Sequence, residues 1–335
     1  MLMTVLTLLG GLVLLVVGGE LLVRGSVRVA EKLGVSPLLI GLTLVGFGTS
    51  TPELVTSVEA SLLGSPGIAV GNVVGSNIAN ILLILGASAL IFPLAVSASA
   101  LKRDGSFVIA TSVLFAAAGF TFGLGRLTGL VFVAGLIGYM VFAYFQEKNS
   151  ATVEAQGHTA AFDKGEAFEQ VEPGLRPRAA AEGPLSWIIP IIMAVAGLAV
   201  IIFGGRILVE SAIELARTLG LSEAVIGLTI VAVGTSLPEF VTSMVAAVRR
   251  QADIAVGNVL GSNIYNILGI GGVTGLLAPT AFPPEMLQLD LFVMIGSAVL
   301  LFALAWNGRI SRWEGALMLM AYLGYVAWLL TGAAS

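Results

Sequence analysis

The chain has 335 residues, of which 57% are hydrophobic and 11% charged, with a formal net charge of −4 and a mean hydropathy of +1.01. A soluble domain carries about 25% charged residues, so a chain this apolar has no surface to offer water; soluble-enzyme functions are all but excluded in favour of a polytopic membrane protein. The lack of cysteine removes disulfides and thiolate chemistry, the single histidine, His158, lies in a polar stretch away from any membrane site, and no basic cluster suggests nucleic acid.

The N-terminal run MLMTVLTLLGGLVLLVV has no Lys or Arg before Arg24, so it reads as a retained transmembrane helix and not as a cleaved signal peptide. A spanning helix needs about 20 apolar residues. Ten such segments are predicted, at roughly 2–21, 36–62, 67–93, 106–123, 127–145, 186–205, 222–247, 253–278, 287–305 and 313–332. Between residues 146 and 185 the composition turns polar and rich in Ala, Glu, Gly and Pro, which marks a linker. With ten spans, the loops after the odd-numbered helices share one side and hold thirteen Lys and Arg, including Lys164 of the linker; the other side holds Arg126, Arg206 and Arg217. The positive-inside rule assigns the thirteen to the cytoplasm and both termini to the outside. Trp187, Trp306, Trp313 and Trp328 fall near predicted helix ends, as interfacial aromatic belts do.

Three pairs of segments repeat at one offset of 186 residues: 18–36 with 204–222, 41–58 with 227–244, and 68–86 with 254–272. The shared residues include Gly, Asn, Ser, Thr, Pro and Glu in register, which chance likeness of apolar helices would not produce. The chain therefore divides into a first repeat (1–145), the linker (146–185) and a second repeat (186–335). Five helices per repeat is an odd number, so the second copy enters the membrane from the opposite side. The expected fold is all-α, with ten transmembrane helices in two inverted five-helix repeats. Inverted repeats with broken helices around a midplane site are a pattern of secondary transporters.

The hexapeptides GTSTPE (48–53) and GTSLPE (234–239) sit inside predicted helices. Pro52 and Pro238 are expected to unwind the preceding Gly-Thr-Ser and free backbone carbonyls, such as those of Gly46 and Ala232, for a dehydrated cation. Glu53 and Glu239 are carboxylates at bilayer depth, a default mark of an ion pathway; no Lys or Arg in mid-helix offers either a partner. Thr49, Ser50, Thr235 and Ser236 add hydroxyls. Ser76 with Asn80, and Ser262 with Asn266, stack on one helical face four residues apart. Asn72, Asn77, Asn258 and Asn263 read more as interhelical ties, and Gly71 with Gly75, like Gly257 with Gly261, as close-packing helix faces. This set of oxygens suits calcium, which takes six to eight oxygen ligands, or sodium.

On these motifs, two copies of GTSxPE and of GNxxGSN, the chain resembles the sodium/calcium exchanger family of the cation/calcium antiporters, and its prokaryotic members in particular. The resemblance implies ten helices, a calcium site of Glu53, Glu239 and carbonyls near Thr49 and Thr235, and sodium sites using Gly46, Ser50, Ser76, Ala232, Ser236 and Ser262. It also implies that the first and sixth helices slide across a rigid core. Several relatives carry Asp where this chain has Asn266, which argues against potassium co-transport. GNVVGSN lacks the glutamate that calcium/proton members carry in GNxxE, which favours sodium as the driving ion. The expected function is sodium/calcium antiport by alternating access, not enzymatic; the alternative is a calcium or other divalent cation/proton exchanger using the same glutamates. Calcium and sodium would bind as substrates, with membrane lipid as surroundings, no cofactor and no obligate protein partner. The expected location is the inner (cytoplasmic) membrane.

Overall fold

The apolar segments fold as long helices in the computed structural model, which describes residues 1–33, 46–150, 159, 160, 163, 164, 166 and 185–332. In chain order the helices are α1 (Leu2–Lys32), α2 (Gly46–Thr49) and α3 (Thr51–Leu62). They continue with α4 (Pro66–Ile91), α5 (Leu101–Thr121), α6 (Arg126–Ser150) and α7 (Leu185–Leu219). The last five are α8 (Glu223–Thr235), α9 (Leu237–Val248), α10 (Ala252–Leu277), α11 (Asp290–Leu304) and α12 (Arg312–Gly332). Among the described residues eight helices are long and apolar enough to cross a membrane, and α8 with α9, bent by 51°, make a ninth, broken span. The expected second span, 36–62, falls partly outside the described residues; its described part is α2 and α3.

The expected segments 2–21 and 186–205 are too short. Both helices continue past the apolar run, to Lys32 and Leu219, because the Glu and Arg residues that end the hydrophobic stretch are good helix formers. Two i,i+4 ion pairs, Glu20–Arg24 and Arg206–Glu210, lie on these extensions. At 1.5 Å per residue α1 is roughly 46 Å long, more than the ~30 Å hydrocarbon core.

α1 and α7 run antiparallel along a seam of glycines seven residues apart. A Cβ at Gly11 would lie 3.0 Å from the Gly204 carbonyl, one at Gly18 3.0 Å from the Gly197 carbonyl, and one at Gly25 2.7 Å from the Pro190 carbonyl. Without Cβ atoms the two backbones touch directly. α4 and α10 are almost entirely buried by protein, whereas α1 and α7 bury less than half of their spans.

The 186-residue offset reappears in the element boundaries. Thr51–Leu62 corresponds to Leu237–Val248, and Pro66–Ile78, the α-helical first part of α4, to Ala252–Ile264 of α10. Each of the latter passes into a π-helical stretch, Ala79–Leu85 and Tyr265–Ile270. π-Turns of this kind concentrate at functional sites.

Candidate functional site

Both hexapeptides break at one residue. Helix persists through Gly-Thr and stops at Ser50 (φ −89°, ψ 7°) and Ser236 (φ −83°, ψ 11°), in the sparsely populated bridge region. The next helix opens as Thr51-Pro52-Glu53 or Leu237-Pro238-Glu239. A proline there forfeits nothing, since first-turn N–H groups have no partner within the helix, and a first-turn glutamate faces the positive end of the helix dipole. The expected unwinding of all of Gly-Thr-Ser is therefore corrected to a single serine. The Ala232 carbonyl is not free either: Ser236 N–H donates to it at 3.1 Å, closing a last helical turn, and the Thr235 and Ser76 hydroxyls donate at 3.3 and 3.4 Å. Gly46 is placed as the first residue of α2.

Glycine opens each hexapeptide for a packing reason. A Cβ at Gly48 would collide with the Val23 side chain, and one at Gly234 would come within 2.6 Å of Leu12. Both neighbours belong to α1, which thus lies directly over the two breaks.

Glu53 and Glu239 are 1% and 2% exposed, so the site is closed to bulk water. Ser236 Oγ donates to Glu53 Oε1 at 3.2 Å and lies 3.1 Å from Ser76 Oγ, which joins the two hexapeptides and the first helix carrying GNxxGSN. The Glu53 carboxylate is also near enough to feel the charges of Glu239 and of Lys164.

Lys164 overturns the expectation that the glutamates have no basic partner. Its Nζ donates to Glu239 Oε1 at 2.9 Å and to Ser262 Oγ at 2.7 Å, and the side chain is 1% exposed. The ammonium also stands 6.0 Å from the centre of the Tyr265 ring. Lys164 comes from a helical stretch of the linker and not from a membrane-spanning helix, so a search of the spans alone misses it. The sign available in sequence was a pair of phenylalanines, Phe162 and Phe168, flanking Lys164 in an otherwise polar stretch.

The asparagines divide by role. Asn72 Nδ2 donates to the Glu53 carbonyl at 3.0 Å and to Ser57 Oγ at 3.0 Å. Asn258 Nδ2 does the same for the Glu239 carbonyl at 3.1 Å, with Thr242 and Ser243 hydroxyls at 2.8 and 2.7 Å. Each asparagine pins the backbone of its glutamate. Thr235 Oγ1 donates to Asn72 Oδ1 at 3.1 Å, so this hydroxyl braces the scaffold. Asn80 Nδ2 reaches Asn263 Oδ1 at 3.0 Å, tying α4 to α10, while Asn77 Nδ2 turns back to Val73 O of its own helix at 2.7 Å.

Among the described residues, five buried oxygens of the expected set have no hydrogen-bond partner: Ser50 Oγ, Glu53 Oε2, Glu239 Oε2, Asn80 Oδ1 and Asn266 Oδ1. Leaving such an oxygen unsatisfied costs about 1–3 kcal/mol, more for a charged one. Carboxylate, amide and hydroxyl oxygens are the kind of donor that a hard cation takes. Thr49 is buried as well. Among the described residues no group of three or more His, Cys, Asp or Glu could hold a metal.

The fold defines a multi-pass membrane protein with two buried glutamates, Glu53 and Glu239, at breaks between its helices. The family model described as sodium/calcium exchanger protein matches residues 3–145 and again 189–331, and the chain belongs to that family. The two matches carry the offset of the hexapeptides. The chain is 38% identical to the sodium/calcium exchanger MaX1 of Methanosarcina acetivorans over 356 residues, covering 96% of this chain and 97% of that one. It is 33% identical to the inner membrane protein YrbG of Escherichia coli over 333 residues, covering 98% and 96%. Among solved structures it resembles the sodium-calcium exchanger NCX_Mj soaked with 100 mM Na+ and 10 mM Sr2+, at a TM-score of 0.60 and 33% identity over 97% of this chain and 98% of that one.

Proposed function

We propose that the protein is a secondary antiporter that exchanges sodium for calcium at one pocket between Glu53 and Glu239, exposed alternately to each side of the membrane. The observation that carries this reading is the joining of the two hexapeptides. Ser236 of one donates to Glu53 of the other, and buried oxygens of Ser50, Glu53, Glu239, Asn80 and Asn266 have no hydrogen-bond partner among the described residues. Two carboxylates supply the charge of one calcium ion, and the neutral oxygens complete a shell for calcium or for sodium. Because both ions need Glu53 and Glu239, binding is competitive, and competition couples the two fluxes.

The two repeats are inverted in this reading. The antiparallel course of α1 and α7, which hold corresponding places in the repeats, supports it. The linker then lies in the cytoplasm and both termini outside, in an inner membrane, in keeping with thirteen Lys and Arg on one side. The glycine seam locks α1 against α7, so that the two helices can move over the core as one unit.

The deciding experiment is calcium uptake into proteoliposomes under an imposed sodium gradient, set beside an imposed proton gradient. Uptake driven by sodium and not by protons is the expected result. Uptake driven by protons alone would make the protein a calcium/proton exchanger working through the same two glutamates.

A further inference from the structure

Lys164 places an ammonium where a transported cation would meet Glu239 and Ser262. We propose that Lys164 is a tethered competitor cation, an autoinhibitory plug that must withdraw before calcium enters from the linker side; this rests on the exchange reading above.

The segment around it is seated, not loosely laid. Asp163 N–H donates to Thr159 O at 3.0 Å, one helical turn, and Thr159, Ala160, Asp163 and Lys164 are all buried. Ala160 N–H donates to Asp104 Oδ2 at 3.0 Å, and Arg103 pairs with the same oxygen at 2.9 Å. The far side of the segment rests on the glycine face of α10. A Cβ at Gly257 would collide with the Asp163 side chain, and one at Gly261 would lie 2.7 Å from the Ala160 carbonyl and 3.2 Å from Lys164 Cβ. The corresponding glycines of α4 do something else: Gly71 and Gly75 pack on the backbone of Gly227 and Leu228 in α8. The face expected to bind a helix is thus taken by the linker.

Charge makes the occupancy exclusive. With Lys164 docked, one of the two central carboxylates is neutralised and Ser262 is engaged, so a divalent ion meets half the charge it needs. Calcium must displace the ammonium. Conversely, removing a cation leaves two buried carboxylates, and the ammonium offsets the cost of one of them. The plug therefore docks best when the site holds no ion, which closes the pocket from the linker side under calcium-poor conditions.

The apparent affinity of a site that is free for a fraction of the time is reduced by that fraction. If the plug is docked about 90% of the time, Lys164→Ala lowers the calcium concentration for half-maximal flux about tenfold from the linker side, leaving the opposite side and the maximal rate unchanged. The measurement compares right-side-out with inverted vesicles.

Because the chain has no cysteine, Lys164→Cys gives a single thiol. Reaction with 2-aminoethyl methanethiosulfonate restores an ammonium and should restore the higher half-maximal concentration; the methyl reagent should not. In the unmodified protein an impermeant amine reagent should label Lys164 slowly without cations and faster with calcium, read at that residue by mass spectrometry. Gly257→Ala, which displaces Asp163 without touching the carboxylates, should reproduce the gain in affinity and serves if Lys164→Ala does not fold. An unchanged half-maximal concentration in Lys164→Ala on both sides, or labelling indifferent to calcium, overturns the proposal. Failure of the exchange reading would appear in the unmodified protein as absent sodium-driven uptake. Failure of the plug would appear in the variants alone.

Discussion

Glu53 and Glu239 hold the same place in the two hexapeptides, yet Glu53 Oε1 accepts from the neutral Ser236 hydroxyl at 3.2 Å while Glu239 Oε1 accepts from the Lys164 ammonium at 2.9 Å. The scaffolds beneath them match: Asn72 holds the Glu53 carbonyl and Asn258 the Glu239 carbonyl. The difference enters from outside the repeats, through the linker. Matching scaffolds thus hold the two glutamates, and an inserted lysine adds to what distinguishes one from the other. Substitutions at paired positions can test how deep that difference goes.

The largest effect is expected at the carboxylates. Glu53→Gln and Glu239→Gln each remove one of two charges available to a dication and should each abolish calcium uptake, by about 100-fold or more if two orders of magnitude correspond to the ~3 kcal/mol of a buried charge left without its partner. Near-normal uptake in either variant would remove that residue from the site. The two should part company at the linker. Glu239→Gln takes away the carboxylate that pairs with Lys164 and should expose Lys164 to an impermeant amine reagent. Glu53→Gln leaves that pair in place and should keep Lys164 protected.

Next come the glycine faces. Gly71→Ala drives a methyl into the backbone of α8, at 3.0 Å from Gly227 C and Leu228 N, and overpacking of that kind costs about 1–3 kcal/mol. Thermal unfolding in detergent should register the loss, with transport falling in step. Gly257→Ala meets the linker instead and should cost less stability. Equal destabilisation by the two would mean that the linker contact is as rigid as the helix contact, contrary to the comparison.

Asn72→Ala and Asn258→Ala should follow, at about 1–3 kcal/mol each for a buried hydrogen-bonded amide. Asn72 also accepts from Thr235 across the repeats, so its loss loosens both hexapeptides. The bonds described for Asn258 run from α10 to α9, both in the second repeat, so its loss should weaken calcium binding with little change in sodium dependence at Glu53. A double variant separates the two, since independent sites add and coupled ones do not.

Much of this arrangement was legible in the sequence because repetition exposes it. Two copies of GTSxPE and GNxxGSN picked out the carboxylates, the serines and the asparagines, and the structure brings Glu53, Ser76 and Ser236 into contact in one half and Ser262 beside Glu239 in the other. Three things were not legible. Proline alone does not say where a helix stops, and Ser236 N–H still donates to Ala232 O, so the carbonyl expected as a ligand already accepts a hydrogen bond. Lys164 counts in the sequence only toward the linker's positive charge, because the long-range contacts of a linker residue leave no periodicity to detect. The ends of α1 and α7 were misjudged for a third reason: hydropathy reports where lipid contact ends, not where helix ends.

The smallest effect is expected at a pair that the repeat preserves with its charges exchanged. Glu20 and Arg24 lie 2.6 Å apart on α1, and at the matching positions of α7 Arg206 and Glu210 lie 3.0 Å apart. Both pairs are partly or largely exposed, where ion pairs contribute little. The acidic residue comes first on α1, the order that a helix dipole favours, and second on α7. Glu20→Ala should therefore cost at most about 0.5 kcal/mol, and Arg206→Ala should be still closer to silent. Swapping the order on α7, by Arg206→Glu with Glu210→Arg, should raise the unfolding temperature slightly and leave calcium flux alone. A marked loss of flux in the swapped protein would show that these charges steer ions toward the site instead of merely holding their helices, and would extend the asymmetry of the two halves to their entrances.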